Sequence, residues 1–146
     1  MTDEPAEFNE KFRVKELTIY ETELWVWSLR PVQATLGAGV LSTKRPRARL
    51  SDLEEAEFSD MHDVVKTIER TLDQTFKIDG LNYLMLMMVD KHVHYHVLPR
   101  YADTVYFQDI SFSDAGWPGL PVLDVDATEP VKLDAILSLM KSNLSN

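Results

Sequence analysis

The sequence contains no cysteine in its 146 residues, which excludes disulfide bonds and zinc sites built from thiolates. No apolar stretch approaches the ~20 residues of a membrane span. The acidic start of the chain, MTDEPAEFNEK, lacks the apolar run of a secretory signal. The net charge is -9, whereas proteins that bind duplex nucleic acid carry a basic surface. We therefore expect a cytoplasmic protein with neither a membrane nor a nucleic acid as its partner.

What the chain does contain is typical of a globular protein. Hydrophobic residues make up 45% of the sequence and charged residues 27%. A chain of this length can bury a core without metal or disulfide cross-links. We expect residues 1–146 to form a single domain.

The order of the sequence patterns predicts an α+β fold, in which helices pack on an antiparallel sheet of about five strands. Two runs rich in β-branched and aromatic residues, 17–22 and 24–30, predict a hairpin, and residues 40–44 predict a third strand. The apolar run 81–90 predicts a strand in the middle of the sheet, covered on both faces. A tight turn would join it to an antiparallel strand that begins at His92.

Helical spacing predicts three helices. Residues 5–15 indicate a short helix with Phe8 and Phe12 on one face. A capping box of Ser51 and Glu54 indicates the start of one long helix packed on the sheet. A C-terminal helix is expected from residue 127 or 128 to about 144. The expected core stripes are Phe58, Met61, Val65, Ile68, Leu72 and Phe76 in the long helix, and Leu133, Ile136, Leu137, Met140 and Leu144 in the last.

Histidine is rare in this chain, yet three of the four histidines lie in one short stretch, HVHYHVLPR. Alternate residues of a strand point to the same face, so His92, His94 and His96 would project side by side, about 6.6 Å apart per step. The residues between them would pack on the opposite face. The fourth histidine, His62, falls on the solvent side of the predicted long helix.

Three explanations for this histidine face compete. The first is structural, with each imidazole satisfied by a hydrogen bond. The second is a zinc or copper site, because imidazole is a good ligand for both metals. The third is nucleophilic catalysis, in which a neutral imidazole attacks phosphorus and forms a covalent intermediate. Among the three, His94 is the natural nucleophile because it has a partner on each side, and His92 and His96 would fix its tautomer and stabilise phosphoryl oxygens.

The stretch HVHYHVL resembles the His-φ-His-φ-His-φ-φ signature (φ is apolar) of the histidine triad (HIT) superfamily. The following PRY is similar to many members, and GVLSTKRPRARLSDLEEAEF looks like the family's strand, basic turn and capped helix. The resemblance covers residues 16–101, and residues 102–146 form an extension that matches only loosely. It implies a HIT fold, a homodimer, and cleavage at the α-phosphate of a nucleotide with no metal or other cofactor. His94 would be the nucleophile, supported by His92 and His96, and histidine at the third position resembles the hydrolase branches.

The sequence departs from the family pattern at three places. Ala38 stands where many members have a further histidine before the basic turn. The MMVDK before the triad has no room for the Gly-Gln-Ser/Thr segment that holds phosphate in many members. Arg30 stands where a ribose-binding Asp or Asn is common, and a guanidinium can only donate hydrogen bonds. Arg30 is instead suited to bind phosphate.

Four basic residues follow the third predicted strand, in STKRPRARL: Lys44, Arg45, Arg47 and Arg49. They form either a solvated loop rim or a patch that steers anions to a phosphate site. If they steer, Lys44, Arg45 or Arg47 would affect substrate capture more than the chemical step. We assign Arg30, Arg45 and Arg100 to substrate binding.

The predicted hairpin also bears on the oligomeric state, because Trp25 and Trp27 lie on one of its faces. They either fill the core of the subunit or leave an aromatic surface that a second copy covers. The family resemblance favours a homodimer.

These observations lead to an expected function. We expect a hydrolase that cleaves a phosphoanhydride or phosphoramidate of a nucleotide-like substrate through a nucleotidyl-histidine intermediate. The alternative is a HIT-fold module that binds nucleotide or phosphate with little or no turnover. A metal-binding protein that uses the same histidine face is a third interpretation.

Overall fold

The computed structural model describes residues 4–144, so residues 1–3 and 145–146 of the expected domain lie outside the described part. A five-stranded antiparallel sheet is at its centre, with strand order β1-β2-β3-β5-β4, and a separate hairpin joins β6 and β7. The strands are β1 Thr18–Glu21, β2 Trp25–Leu29, β3 Gly39–Thr43, β4 Gly80–Leu84, β5 His94–Arg100, β6 Val105–Phe107 and β7 Ile110–Phe112. The helices are α1 Glu4–Lys11, α2 Val14–Leu17, α3 Glu55–Phe76 and α4 Pro130–Ser142. This architecture confirms the predicted α+β fold.

One face of the sheet packs against the two long helices, α3 and α4. Trp25, Trp27 and Leu41 lie on this face, because residues paired across antiparallel strands point the same way. They are fully buried with apolar residues of both helices, including Ile68, Leu72, Leu133, Ile136 and Met140. Of the two alternatives for Trp25 and Trp27, the exposed aromatic surface is wrong, because both side chains are buried in the core of the subunit.

The opposite face of the sheet is covered by the short N-terminal helices. Phe8 of α1, Phe12 just after it and Val14 of α2 form a small cluster with Val26 and Val40 of the sheet. The predicted helix 5–15 is thus interrupted: α1 ends at Lys11, and Arg13 adopts a left-handed conformation (φ 50°) before α2 begins.

The start of the long helix differs from the prediction. Ser51 lies in a separate 3₁₀ turn, Leu50–Asp52, and α3 begins at Glu55. The helix start is capped instead by Glu57, whose carboxylate accepts a hydrogen bond from the Glu54 amide at 2.9 Å. Phe58 was placed in the core stripe but is 46% exposed, whereas Ile68 and Leu72 are buried as predicted. Sequence spacing gave the helix but not the position of its first turn.

The apolar run before the triad is the largest correction. Residues 81–90 do not form a central strand: β4 ends at Leu84 and lies at the edge of the sheet, beside β5. Residues 85–93 form an irregular connection in which the side chains of Met88 and Val89 are 78% and 81% exposed. As a consequence β5 begins at His94, and His92 precedes the strand.

The C-terminal extension starts from the end of β5. It forms the β6–β7 hairpin, which sequence patterns did not predict, and then α4, which starts at Pro130 rather than at residue 127 or 128. Leu133, Ile136 and Met140 are buried as predicted. Among residues 4–144, no helix combines the length and apolar character needed to cross a membrane.

Candidate active site

The histidine face is the face of the sheet that lies under α1. His94 pairs with Ser42 and His96 with Val40 in the antiparallel register of β3 and β5, so both imidazoles share a face with those residues. His92, two residues before the start of β5, lies beside the same site, since Phe8 contacts the rings of both His92 and His94. All three histidines are buried, and His94 is only 2% exposed.

The geometry at His94 determines its tautomer. Its Nδ1 lies 2.6 Å from the carbonyl oxygen of His92. A carbonyl oxygen can only accept, so Nδ1 must carry the proton and Nε2 presents its lone pair. Burial lowers the pKa of His94, which keeps the ring neutral. His94 therefore has an unprotonated nitrogen that is ready to act as a nucleophile.

His92 provides the support for this arrangement. Its Nε2 lies 2.8 Å from the carbonyl oxygen of Thr43, to which it donates a hydrogen bond. This bond ties the residue before β5 to the end of β3. The carbonyl of the same residue then holds His94, so His92 orients the His94 ring through its backbone as well as filling the space beside it.

His96 is the other neighbour of His94, and the centroids of the two imidazole rings lie 5.1 Å apart. Burial, followed by the proximity of His94 and Arg30, lowers the pKa of His96 to about 4. A neutral imidazole can still donate one hydrogen bond. Nδ1 of His96 is buried and has no hydrogen-bond partner within residues 4–144.

Two phenylalanines, Phe8 in α1 and Phe12 just after it, form a roof over the histidines. The Phe8 ring centroid lies 4.8 Å from that of His94 and 5.2 Å from that of His92. Phe12 lies 6.1 Å from His94 and 6.2 Å from His96. The sequence placed both phenylalanines on one helix face but did not indicate what that face covers. The only sequence feature that pointed to this contact was the pair of phenylalanines one helical turn apart.

A cavity of about 340 Å³ opens beside the roof and reaches two of the histidines. It is mostly apolar, with Lys11 and Arg30 as cations and Asp90 as the carboxylate. Its lining consists of Lys11, Phe12, Arg30, Pro31, Val32, Leu86, Met87, Met88, Val89, Asp90, His94 and His96. The cavity thus brings together an apolar wall, two cations and the predicted nucleophile.

Arg30 is the one predicted substrate-binding residue that the structure places in this cavity. Its Nη1 donates to the carbonyl oxygen of Val32 at 2.9 Å, and its buried Nε has no partner among the described residues. Burial lowers the pKa of the guanidinium, which nevertheless remains charged. Arg30 can therefore donate to an anion beside His96.

Arg45 and Arg100 do not line the cavity, so the structure gives no support to their assignment to substrate binding. Arg45 is paired with Glu54 at 3.4 Å on the surface. Arg100 is buried at the far end of β5, where its Nε is 2.7 Å from a carboxylate oxygen of Asp114. It also donates to Asn82 and to the Gly119 carbonyl, so its role is to anchor the C-terminal extension.

Two other basic residues of the turn, Lys44 and Arg47, are also paired with carboxylates. Lys44 is 2.9 Å from Glu21, and Arg47 is 2.9 Å from the buried Glu57. This pairing reduces the positive potential that the cluster can present to an anion. His62 is exposed on α3, as predicted.

The structure also shows what replaces the family features that this sequence lacks. Ala38 is buried, and its carbonyl oxygen accepts a hydrogen bond from the Arg30 amide at 2.9 Å. Arg30 therefore lies next to the position where many members have a histidine. In the segment before the triad, Met87 adopts a left-handed conformation (φ 54°), which costs least for glycine. Within residues 4–144, no group of three His, Asp or Glu side chains is arranged to hold a metal ion.

Comparison with known proteins agrees with this reading of the fold. A histidine triad nucleotide-binding protein from Sulfolobus tokodaii strain 7, itself described as hypothetical, superposes with a TM-score of 0.77 at 18% identity, covering 99% of this chain and 93% of that one. A HIT protein from Sinorhizobium meliloti 1021 has a TM-score of 0.70 at 15% identity, covering 90% and 93%. A zinc-bound histidine triad family protein from Mycobacterium smegmatis has a TM-score of 0.60 at 21% identity, covering 88% and 83%.

These identities establish the fold alone, and no curated protein matches the chain in sequence. The sequence model of the HIT domain, however, matches residues 12–103, which is more than half of the chain. This range contains β1 to β5, α3, Arg30 and all three histidines of the site. The chain belongs to the HIT domain family.

Proposed function

We propose that this protein is a nucleotide-phosphate hydrolase in which His94 forms a covalent intermediate. The observation that carries the proposal is the His94 tautomer, with Nδ1 bound to the His92 carbonyl and Nε2 unprotonated inside a buried site. A purely structural histidine needs no such free nitrogen. Membership of the HIT family supports a nucleotide-binding or hydrolase-type function in general terms.

The reaction follows from the groups around His94. Its Nε2 lone pair attacks the α-phosphorus, a P–N bond forms, and the bond from phosphorus to the leaving oxygen or nitrogen breaks. The leaving group departs with the electron pair of that bond. A water molecule then cleaves the P–N bond, giving the nucleotide and regenerating the imidazole. His96 and Arg30 line the same cavity as His94 and would donate hydrogen bonds to phosphoryl oxygens as charge develops.

The test is a rapid-quench experiment with a phosphorus-labelled substrate, chosen by screening dinucleoside polyphosphates, nucleoside phosphoramidates and nucleotide sugars. We expect acid-labile label on the wild-type protein and none on His94→Ala, whose turnover should also be lost. His96→Ala should slow turnover by roughly 10²–10³-fold, the effect of one lost charge-stabilising donor. The matched control is His62→Ala, which removes an exposed histidine. Label that persists on folded His94→Ala would exclude His94 as the nucleophile.

A binding module without turnover is the second candidate. It is favoured by the low exposure of His94 (2%) under the Phe8 roof and by the absent Gly-Gln-Ser/Thr segment. The two candidates differ in one measurement. A binding module would bind a nucleotide stoichiometrically in calorimetry and yet show neither turnover nor label on the wild-type protein.

We also propose that the protein is a cytoplasmic homodimer, on the family resemblance. The buried tryptophans leave no exposed aromatic surface to support a dimer, so the test is the mass of the protein in solution. Light scattering at micromolar concentration should give twice the 16.8 kDa of one chain. A monomer mass would exclude it.

A further inference from the structure

Lys11, the last residue of α1, lines the same cavity as His94, His96 and Arg30. The packing of α1 explains why it is there. Phe8 and Phe12 lie on the histidine rings, and this fixes the end of the helix beside the cavity. The Lys11 Nζ also lies 5.3 Å from the centroid of the Phe12 ring. A cation from outside the sheet is thereby held beside the nucleophile.

One part of the cavity lining offers no side-chain donor to a phosphate. Residues 86–89 are Leu-Met-Met-Val, whose side chains have no hydroxyl or amide donor. The next residue, Asp90, carries a negative charge. A substrate with more than one phosphate needs cationic donors for the phosphate that His94 does not attack. The cations that line the cavity are Lys11 and Arg30.

Lys11 is paired with Asp90, with Nζ 2.7 Å from a carboxylate oxygen. The Lys11 side chain is 51% exposed and that of Asp90 is 19% exposed, so the ammonium group remains partly accessible to water. A phosphate entering the cavity can compete with Asp90 for the ammonium group. Asp90 would then act as a counter-ion that keeps Lys11 at the cavity when no substrate is bound.

We propose that Lys11 binds the phosphate of the leaving group, so that the substrate is a phosphoanhydride. This inference rests on the proposed function and selects between its two substrate classes. The leaving group of an anhydride is an anionic phosphate, which a lysine beside the cavity stabilises. The leaving group of a phosphoramidate is an amine, which has no negative charge for Lys11 to bind.

The simpler explanation of the Lys11–Asp90 pair is that it only pins α1 to the loop before the triad. The two explanations differ in how the two substitutions combine. If the pair only pins the helix, Asp90→Asn removes a carboxylate that repels an anion in the cavity, by the same amount with or without Lys11. If Lys11 binds phosphate, Lys11→Gln weakens anion binding, and Asp90→Asn strengthens it more when Lys11 is present.

The experiment is a calorimetric titration of each variant with inorganic pyrophosphate and with inorganic phosphate. We expect Lys11→Gln to weaken pyrophosphate binding about tenfold, the effect of one charge-assisted hydrogen bond, and to change phosphate binding much less. Asp90→Asn should tighten pyrophosphate binding, and by less in the Lys11→Gln background. Lys11→Arg should retain most of the affinity. Lys15→Gln, the same charge change at an exposed position of α2, is the matched control.

Three results would overturn the inference: no pyrophosphate binding to the wild type, equal effects of Lys11→Gln and Lys15→Gln, or an effect of Asp90→Asn that is the same with and without Lys11. Turnover separates this failure from that of the proposed function. With an anhydride substrate, Lys11→Gln should raise KM about tenfold at nearly constant kcat, and the labelled intermediate should still form. An intermediate that forms with unchanged KM overturns only the role of Lys11. If no labelled intermediate forms on the wild-type protein, the proposed function is wrong. The pyrophosphate titrations of the Lys11 and Asp90 variants can still be interpreted in that case.

Discussion

The two faces of the central sheet are covered by helices of very different size. On one face, α3 with 22 residues and α4 with 13 bury a large apolar cluster that includes Trp25 and Trp27. On the other, α1 with 8 residues and α2 with 4 cover three buried histidines with a cluster of five apolar residues. The local stability of an element rises with the apolar area that it buries. We infer that the first face holds the fold together and that the second can open.

The largest effect that tests this difference is on stability. Leu72→Ala, in α3, should lower the free energy of unfolding by about 2–5 kcal/mol, because it leaves a cavity in the main core. Phe8→Ala should cost clearly less, although Phe8 is equally buried, because α1 can detach without unfolding the sheet. Urea unfolding at constant m-value measures both. Equal losses in the two variants would mean that the histidine face is as tightly packed as the core.

The same contrast explains how much of the fold the sequence revealed. The stripe of Ile68 and Leu72, and that of Leu133 and Ile136, repeat at helical spacing because each helix faces one large core. Sequence patterns therefore predicted α3 and α4, and the hairpin of β1 and β2. They did not predict the 3₁₀ turn that contains Ser51. The sequence offers two overlapping capping pairs, Ser51 with Glu54 and Glu54 with Glu57, and the second pair is the one that caps α3.

The candidate site was predicted only in part, for a related reason. The alternation of His94 and His96 is local, and it correctly placed both side chains on one face. Residues 86–89 are apolar and line a cavity, yet an apolar run looks the same in a buried strand. Lys11 and Phe8 reach the site only through tertiary packing, more than 80 positions before the triad in the sequence. No spacing rule connects residues so far apart.

A second, smaller effect tests whether the histidine face really holds neutral imidazoles. The pKa of His96 is about 4 in the folded protein and about 6.5 in an unfolded chain. Between these values the unfolded state binds a proton that the folded state does not, so stability falls as the pH is lowered from 6.5 towards 4. The slope from one such group is at most roughly 1.4 kcal/mol per pH unit.

The measurement is the urea midpoint at several pH values in this window. His96→Gln should flatten the pH dependence relative to the wild type, because the variant has no imidazole to protonate at that position. His62→Ala, at an exposed position, should leave it unchanged. Identical pH profiles for the wild type and His96→Gln would show that His96 is not held neutral by burial. Carboxylates also titrate here, so the difference between the two proteins is the quantity to compare.

The smallest expected effect concerns the basic turn, which lies outside both faces. Steering of substrate requires uncompensated charge, but Lys44 is already 2.9 Å from Glu21. We therefore expect Lys44→Gln to change kcat/KM by less than about threefold, with little change in its salt dependence. Arg30→Gln should lower kcat/KM much more, because it removes a cationic donor that lines the cavity together with His94 and His96. Arg47 is a poor choice for this test, since its substitution would leave the buried Glu57 carboxylate without its ion pair. A larger loss in Lys44→Gln than in Arg30→Gln would mean that the turn, rather than the cavity, governs substrate capture.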